Sequence, residues 1–198
     1  MTITFQSWMQ AVWSSIAEPS DTARKVIAME VPKQALWTGL VLVAVLNVVL
    51  LSFLQFISPA PQGATAGGFV LSPFAYAMII GVFLVLFVLG THAVGRFFGG
   101  IGTQEATLAI IVWFQAVSLT LEAVQVVLVL ISPVIGSLFG LLSLGVLLWV
   151  FVNFVNVLHA FDSVGKAIFT IVLALLLTAL GAGLVLAALG IGPSGAFA

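Results

Sequence analysis

Charged side chains are scarce in this sequence, because five Lys or Arg and six Asp or Glu make up only 6% of its 198 residues. A soluble domain carries about 25% charged residues, so a chain with so few is not expected to fold in water. Cysteine is absent, which excludes disulfide bonds, cysteine zinc sites and thiol nucleophiles. No basic segment precedes an early apolar run, so the first span rather than a cleaved signal peptide is expected to direct insertion.

Hydrophobic residues, in contrast, make up 63% of the chain, and its mean hydropathy is +1.35. Residues 34–95 and 123–161 contain no charged side chain, and about 20 apolar residues in a helix suffice to cross the hydrocarbon core. We therefore predict an all-α integral membrane protein, a five-transmembrane-helix bundle with an N-terminal amphipathic interfacial helix.

Five apolar segments are long enough to span the bilayer. Serine and proline begin the second and fourth of them, and a proline at the first helical position loses no hydrogen bond. The predicted spans are residues 35–57, 73–94, 105–130, 133–158 and 164–189. Residues 58–72 are rich in Pro, Gly and Ala, which predicts a mobile loop, and residues 191–198 are predicted to form a short external tail.

Residues 1–34 are predicted to form a cytoplasmic amphipathic segment. Apolar side chains recur at helical spacing over residues 3–17, which are too few to span the bilayer. Tryptophan favours the headgroup region, so Trp8, Trp13 and Trp37 are predicted to be interfacial anchors. A helix docked on the protein's own spans, or on a partner, fits the pattern about equally well.

The positions of lysine and arginine predict the orientation. All five basic residues fall on one side of the membrane if the N-terminus is cytoplasmic, the chain crosses five times and the C-terminus is outside. Omitting or merging any span would break this separation. The basic residues are Arg24, Lys25, Lys33, Arg96 and Lys166. The predicted location is the bacterial inner (cytoplasmic) membrane.

Four polar residues share one stripe of the third span. Gln115, Ser118, Glu122 and Gln125 are separated by three, four and three residues. They are expected to face other helices, because an acid near the bilayer centre costs about 2.5–3.5 kcal/mol. Glu122 lies about 25 Å along the axis from Glu105, in the outer half of the bilayer. Small residues are expected at the same depth, namely Gly81, Gly140, Ser143, Thr178 and Gly181, and Gly136 and Gly140 are spaced for close helix approach.

Glu122 has two interpretations, a protonatable group in a transport pathway or a neutral acid that hydrogen-bonds between helices. The second is preferred, because a transporter normally shows several intramembrane ionisable residues or broken helices. His92 and His159, with Asn153 and Asn156 nearby, form a poor metal set, so packed or solvated histidines are expected instead. We expect no catalytic residues, no metal, no cofactor and no nucleic-acid partner, because no nucleophile–base spacing and no basic stripe is present.

A glycine-rich turn formed by Gly99, Gly100, Gly102 and Thr103 precedes the third span. Backbone amides at such a turn can bind phosphate, but this turn lacks the lysine of a P-loop and the strand of a dinucleotide-binding fold. A tight turn between two spans is the preferred interpretation, and Thr103 is predicted to cap the helix that follows.

Three segments together resemble a known family. The glycine turn is followed about sixty residues later by VNVLHAFDSVGKAIFTIVLALLL (155–177) and preceded by EPSDTARKVIAMEVPKQALW (18–37). Over about residues 18–190 the chain resembles the Yip-domain membrane proteins, whose eukaryotic members interact with Ypt/Rab GTPases. The resemblance implies five spans, a cytoplasmic N-terminus, a link to vesicle trafficking and membrane shaping, and no catalytic residues. The chain departs from the eukaryotic members in lacking a long polar N-terminal region, so GTPase binding is not carried over from them, and the resemblance is to a bacterial-type member.

The sequence favours a non-enzymatic membrane protein that binds or organises other membrane components, in scaffolding, assembly or membrane shaping. Its expected partners are membrane lipids and another membrane protein or complex, or a second copy of the chain. The alternative is a small channel or transporter that uses Glu122, and an enzyme acting on lipid is a distant third.

Overall fold

The computed structural model describes residues 4–57 and 73–188, and the regular elements in these ranges are all α-helices. The helices are α1 (Phe5–Ala17), α2 (Pro19–Ala28), α3 (Lys33–Ile57), α4 (Pro73–Phe97), α5 (Gln104–Ile131), α6 (Pro133–His159) and α7 (Val164–Ala188). Helices α3 to α7 are each long and apolar enough to cross a membrane. The predicted all-α membrane protein with five spanning helices is thereby confirmed.

The spanning helices begin and end within three residues of the predicted spans. The sequence signals act locally as expected: the Thr103 hydroxyl accepts a 3.1 Å hydrogen bond from the Ala106 N–H at the start of α5, and Pro133 occupies the first turn of α6. The predicted loop at 58–72 and the tail at 191–198 lie outside the described residues.

Helices α5 and α6 form an antiparallel hairpin joined through Ser132. A Cβ at Gly136 would lie 2.8 Å from the backbone nitrogen of Val129, so only glycine allows α6 to approach α5 this closely. Helix α3 runs parallel to α5, since Lys33 lies 3.8 Å from Glu105 where both helices begin.

Helices α4 and α7 form a second close antiparallel pair. Buried small residues recur every fourth position along α7: Thr170, Ala174, Thr178 and Ala182. A Cβ at Gly90 of α4 would lie 3.3 Å from the Thr178 hydroxyl. Small side chains let spanning helices pack backbone to backbone, where dispersion forces stabilise them. Of these four residues, only Thr178 belongs to the layer of small residues expected from the sequence.

One end of the bundle, here called the charged end, joins the first turns of α3, α5 and α7 to the last turns of α4 and α6. Arg96 donates a hydrogen bond to the Gly100 carbonyl at 3.2 Å, and the Ile101 N–H donates to the His159 carbonyl at 3.2 Å. Large side chains with less than 2% exposure concentrate toward this end, among them Leu108, Ile110, Ile111, Phe154 and Val155. The bundle is therefore most tightly packed on this side.

The N-terminal helices, α1 and α2, dock on α5 and α6. The Trp8 indole donates to the Thr120 hydroxyl at 3.2 Å, and the Trp113 indole donates to the Ser15 hydroxyl at 3.1 Å. The rings of Trp8 and Trp113 meet edge to face, with centroids 5.8 Å apart. Of the two arrangements that the amphipathic pattern allowed, the structure adopts docking on the protein's own spans.

Candidate functional site

The polar stripe of α5 faces the neighbouring helices. Ser118 is buried, and Gln115, Glu122 and Gln125 are half-buried. Burial inside the bundle is expected for polar groups on a spanning helix, because facing lipid would cost several kcal/mol. Glu122 and Gln125 line one cavity together, and what they do there stays a prediction.

This cavity, the α3–α4–α5 cavity, has a volume of about 370 Å³. Asn47 of α3 supplies a third polar group beside Glu122 and Gln125, and the remaining lining is apolar, formed by Leu50, Leu51, Leu54, Ile80 and Val126. In the sequence, Asn47 is a single polar residue within an apolar run. Its proximity to Glu122 follows from the parallel register of α3 and α5, in which Gly39 lies against Val112.

The expected layer of small residues meets the stripe at one point. Gly140 packs against Gln125 so closely that a Cβ would overlap the amide nitrogen. The other four members do not line the cavity: Gly81, Ser143, Thr178 and Gly181. Position along the axis is therefore not sufficient to place a residue in the cavity wall, because residues at one depth can lie on different sides of their helices.

The glycine turn, together with Gly95 in the last turn of α4, has a packing role that the sequence spacing did not reveal. A Cβ at Gly95 would overlap the His159 ring, and a Cβ at Gly102 would lie 2.8 Å from the Leu158 carbonyl. Gly100 also borders this ring, while Gly99 takes the left-handed conformation with φ +84°. The preferred interpretation was a tight turn, and in the structure the turn also encloses the last side chain of α6.

His159 is packed rather than solvated, with 1% of its surface exposed and its ring stacked on Phe161 at 5.3 Å. Both of its ring nitrogens lack a hydrogen-bond partner among the described residues, as do nearby buried polar atoms of Thr91, His92 and Asn156. Buried groups of this kind are commonly satisfied by internal water. In the described part of the chain, no group of three His, Asp or Glu side chains could hold a metal ion.

The three tryptophans predicted as anchors have different surroundings. Trp8 contacts α5, Trp37 is half-buried against the core, and Trp13 is 68% exposed. Anchoring in the headgroup layer stays a prediction for all three, and Trp13 has the exposure that such a role requires.

The charged groups of α2 are displaced from the charged end, along the axis of the bundle, toward its middle. The Ser20 hydroxyl donates to the side-chain oxygen Oδ1 of Asn153 at 3.2 Å, and Asn153 lies about 9 Å along α6 from His159 at 1.5 Å per residue. Next to Ser20, Asp21 pairs with Arg24 at 2.8 Å, with both side chains more than half exposed. On this side the polar surface therefore extends about 9 Å inward from the charged end.

The α7 side of the bundle is different. Ile168 and Phe169, directly after Lys166, are 47% and 59% exposed, and Val172 one turn later is 48% exposed. Large apolar side chains are therefore exposed on this side almost up to the charged end. The two sides of the protein thus place the boundary between polar and apolar surface at different heights.

An apolar groove separates α1 from α3. Its volume is about 610 Å³, and α1 contributes Phe5, Trp8 and Met9 to its wall. The opposite walls come from α3 and α5, with Leu46, Phe53 and Leu119 among them. Apart from Thr120, the side chains that line this groove are apolar.

These features define a class: a polytopic helical membrane protein whose charges, Glu122 excepted among the described residues, lie at one end or on the N-terminal helices. The family model for the Yip1 domain matches residues 13–186, and the chain belongs to the Yip1-domain family. Its members are membrane proteins, generally non-enzymatic and associated with membrane trafficking. No curated protein and no solved structure is similar enough to count as a match. The family prediction is confirmed, while bacterial-type membership stays a prediction.

Proposed function

We propose that this protein organises membrane by deforming the leaflet around its N-terminal helices. The observation that carries the proposal is the docking of α2 through the 3.2 Å Ser20–Asn153 hydrogen bond, which holds the exposed Asp21–Arg24 pair about 9 Å inward from the charged end. Charged side chains in hydrocarbon cost several kcal/mol each, so headgroups and water follow them. The headgroup layer then lies closer to the bilayer centre beside α2 than beside α7, so that it slopes around the protein.

The free energy needed to deform the leaflet in this way is small enough for two docked helices to supply. Mismatch between protein and bilayer costs a fraction of a kcal/mol per ångström, so a displacement of about 9 Å costs roughly a few kcal/mol. That energy falls when the membrane is already thin or curved, or when two deformed regions merge. The protein would therefore concentrate in curved membrane and bring copies or other membrane proteins together, which fits a family associated with trafficking.

The orientation proposed with this function puts the charged end in the cytoplasm. All five Lys and Arg belong to this end or to the N-terminal helices, which supports the assignment through the preference of basic residues for the cytoplasmic side. The deformed leaflet is then the cytoplasmic one, and partner membrane proteins would meet α2 there.

Two cysteine positions at equal axial distance from the charged end test the slope. Trp149 and Leu175 are exposed on α6 and α7, each about 15 Å from the turn that joins these helices. Because the chain has no cysteine, Trp149→Cys and Leu175→Cys give single sites for spin labels in lipid vesicles. We expect the label at 149 to be the shallower by several ångströms, from its accessibility to oxygen and to a water-soluble nickel complex.

Equal depths at the two positions would mean that the boundary is flat and would rule out the proposal. The substitution pair Asp21→Leu with Arg24→Leu is expected to bring the two depths together. The pair Asp162→Leu with Lys166→Leu, also charged and also exposed, serves as its control.

The alternative of a channel or transporter through Glu122 has weaker support. Between the α3–α4–α5 cavity and the charged end, the side chains of Leu108, Ile111 and Phe154 are almost completely buried. A pathway through the described residues would have to pass this packed half of the bundle.

A further inference from the structure

The α3–α4–α5 cavity shares Leu50 with the apolar groove beside α1, and it contains a carboxyl group with no partner among the described residues. Glu122 makes no hydrogen bond or ion pair with the described residues. The nearest acid on the same helix, Glu105, is about 25 Å away and sits beside Lys33 at the charged end. A carboxyl group so placed either keeps its proton or pairs with a cation that the protein does not supply.

The second polar group in the cavity also accepts hydrogen bonds. The Asn47 amide nitrogen donates to the Val43 carbonyl at 2.8 Å, one turn earlier in α3. This bond uses one of the two N–H donors of the amide, and the amide oxygen remains available as an acceptor. Gln125, the third polar group, is packed against Gly140. Two free acceptors therefore line the cavity, the Glu122 carboxyl and the Asn47 oxygen, and together they suit a ligand that brings several N–H donors.

The rest of the cavity is apolar and accessible. Leucine and isoleucine side chains form most of the wall, and Asn47 and Glu122 are half-buried rather than sealed. A volume of about 370 Å³ falls within the range of small-molecule sites. A hydrocarbon body would bury apolar surface against this wall, at about 25 cal/mol per Å².

We propose that this cavity binds a primary ammonium group carried on a small apolar body. The ammonium pairs with the Glu122 carboxylate and donates to the Asn47 oxygen, and the apolar body packs against the leucines of α3 and Ile80 of α4. The ligand enters from the half of the bilayer away from the charged end. This site does not depend on the function proposed for the N-terminal helices.

Binding of radiolabelled 2-phenylethylamine to the full chain in lipid nanodiscs tests the proposal. We expect saturable binding that 2-phenylethanol, which has the same body without the ammonium, does not displace. Glu122→Gln, which keeps the volume and removes the charge, should weaken binding at least tenfold. Glu105→Gln is the matched control and should leave binding unchanged. Absence of saturable binding to the natural chain, or full binding by Glu122→Gln, overturns the proposal.

A second variant separates loss of binding from loss of folding. Ile80→Trp would fill the cavity without altering the carboxyl group, and it should abolish amine binding while the helical content is retained. Unchanged binding by a folded Ile80→Trp protein would place the amine elsewhere and overturn the proposal.

The same ammonium chemistry can come from a free amine or from the headgroup of phosphatidylethanolamine. Nanodiscs of phosphatidylcholine alone, and with added phosphatidylethanolamine, distinguish the two sources. Displacement of the labelled amine by the added lipid assigns the site to the lipid headgroup, and unchanged binding assigns it to a free amine. Either result supports the ammonium site.

Discussion

His159 shows how one side chain determines the residues around it. Its ring occupies the space where a side chain on Gly95 would lie, and its carbonyl accepts a hydrogen bond from the Ile101 N–H. Glycine is required at position 95 because a side chain there would overlap the ring, whereas glycine at position 99 is required because its φ is positive. Two neighbouring glycines thus serve different physical needs.

Gly95→Ala is therefore expected to destabilise the protein by about 1–3 kcal/mol, because the new methyl group would overlap the His159 ring. Thermal unfolding in detergent measures the effect. Gly145→Ala is the control, since nothing lies within 4 Å of its Cβ position and alanine favours a helix over glycine.

Adding His159→Ala to Gly95→Ala should recover part of the lost stability, since the two side chains would then no longer overlap. A Gly95→Ala protein that melts with the natural one would show that the ring does not occupy this space.

Trp8 offers a second test at the residue scale. Trp8→Phe removes the hydrogen bond to the Thr120 hydroxyl, which keeps its own bond to the Ala116 carbonyl at 2.9 Å. Nothing is left unsatisfied, so we expect a loss of about 0.5–1.5 kcal/mol in the docking of α1. Faster proteolysis of the N-terminal helices would report it. The control is Trp13→Phe, because Trp13 is 68% exposed. Its N-terminal helices should be cleaved at the rate of the natural protein, and equal cleavage rates for the Trp8→Phe and Trp13→Phe proteins would contradict the docking.

The helices themselves were predictable because length and hydropathy alone determine them. A run of about 20 apolar residues must satisfy its backbone internally and becomes a helix whatever its neighbours are. The burial of Glu122 and Gln125 followed from the 3.6-residue period in the same way. These features depend on near neighbours in the sequence.

The docking of α1 was not predictable, because an amphipathic pattern is the same whether its apolar face meets lipid or protein. The Trp8–Thr120 contact joins residues more than a hundred positions apart. Asn47 and Glu122 likewise line one cavity only through the register of α3 against α5. Such pairings depend on tertiary packing, which periodicity does not encode.

At the scale of elements, the contact between α2 and α6 can be tested by crosslinking. Ser20→Cys with Asn153→Cys replaces two side chains whose oxygens are 3.2 Å apart, in a chain without other cysteines. We expect oxidation in the membrane to join them rapidly. Lys25→Cys with Asn153→Cys is the control, because Lys25 is on the exposed face of α2, and it should react slowly. Similar rates for the two pairs would show that α2 is not fixed on α6.

In the molecule as a whole, charge and packing density both differ between the two ends of the bundle. Charges and the tightest core are at or near one end, while Glu122 and its cavity lie toward the other. Packing is tight where the N-terminal helices add a further layer over α5 and α6. A membrane protein built in this way presents different surfaces to the two leaflets, so its function depends on which way it is inserted.

That orientation is open to measurement with single cysteines. Arg24→Cys lies on α2, and Ile131→Cys lies at the opposite end of the bundle, where the side chain is 71% exposed. Since basic residues favour the cytoplasmic side, a membrane-impermeant maleimide added to intact cells should label position 131. Position 24 should react only after the cells are permeabilised. Labelling of position 24 in intact cells would place the charged end outside. The sloped leaflet would then be the outer one, and the amine site would open toward the cytoplasm.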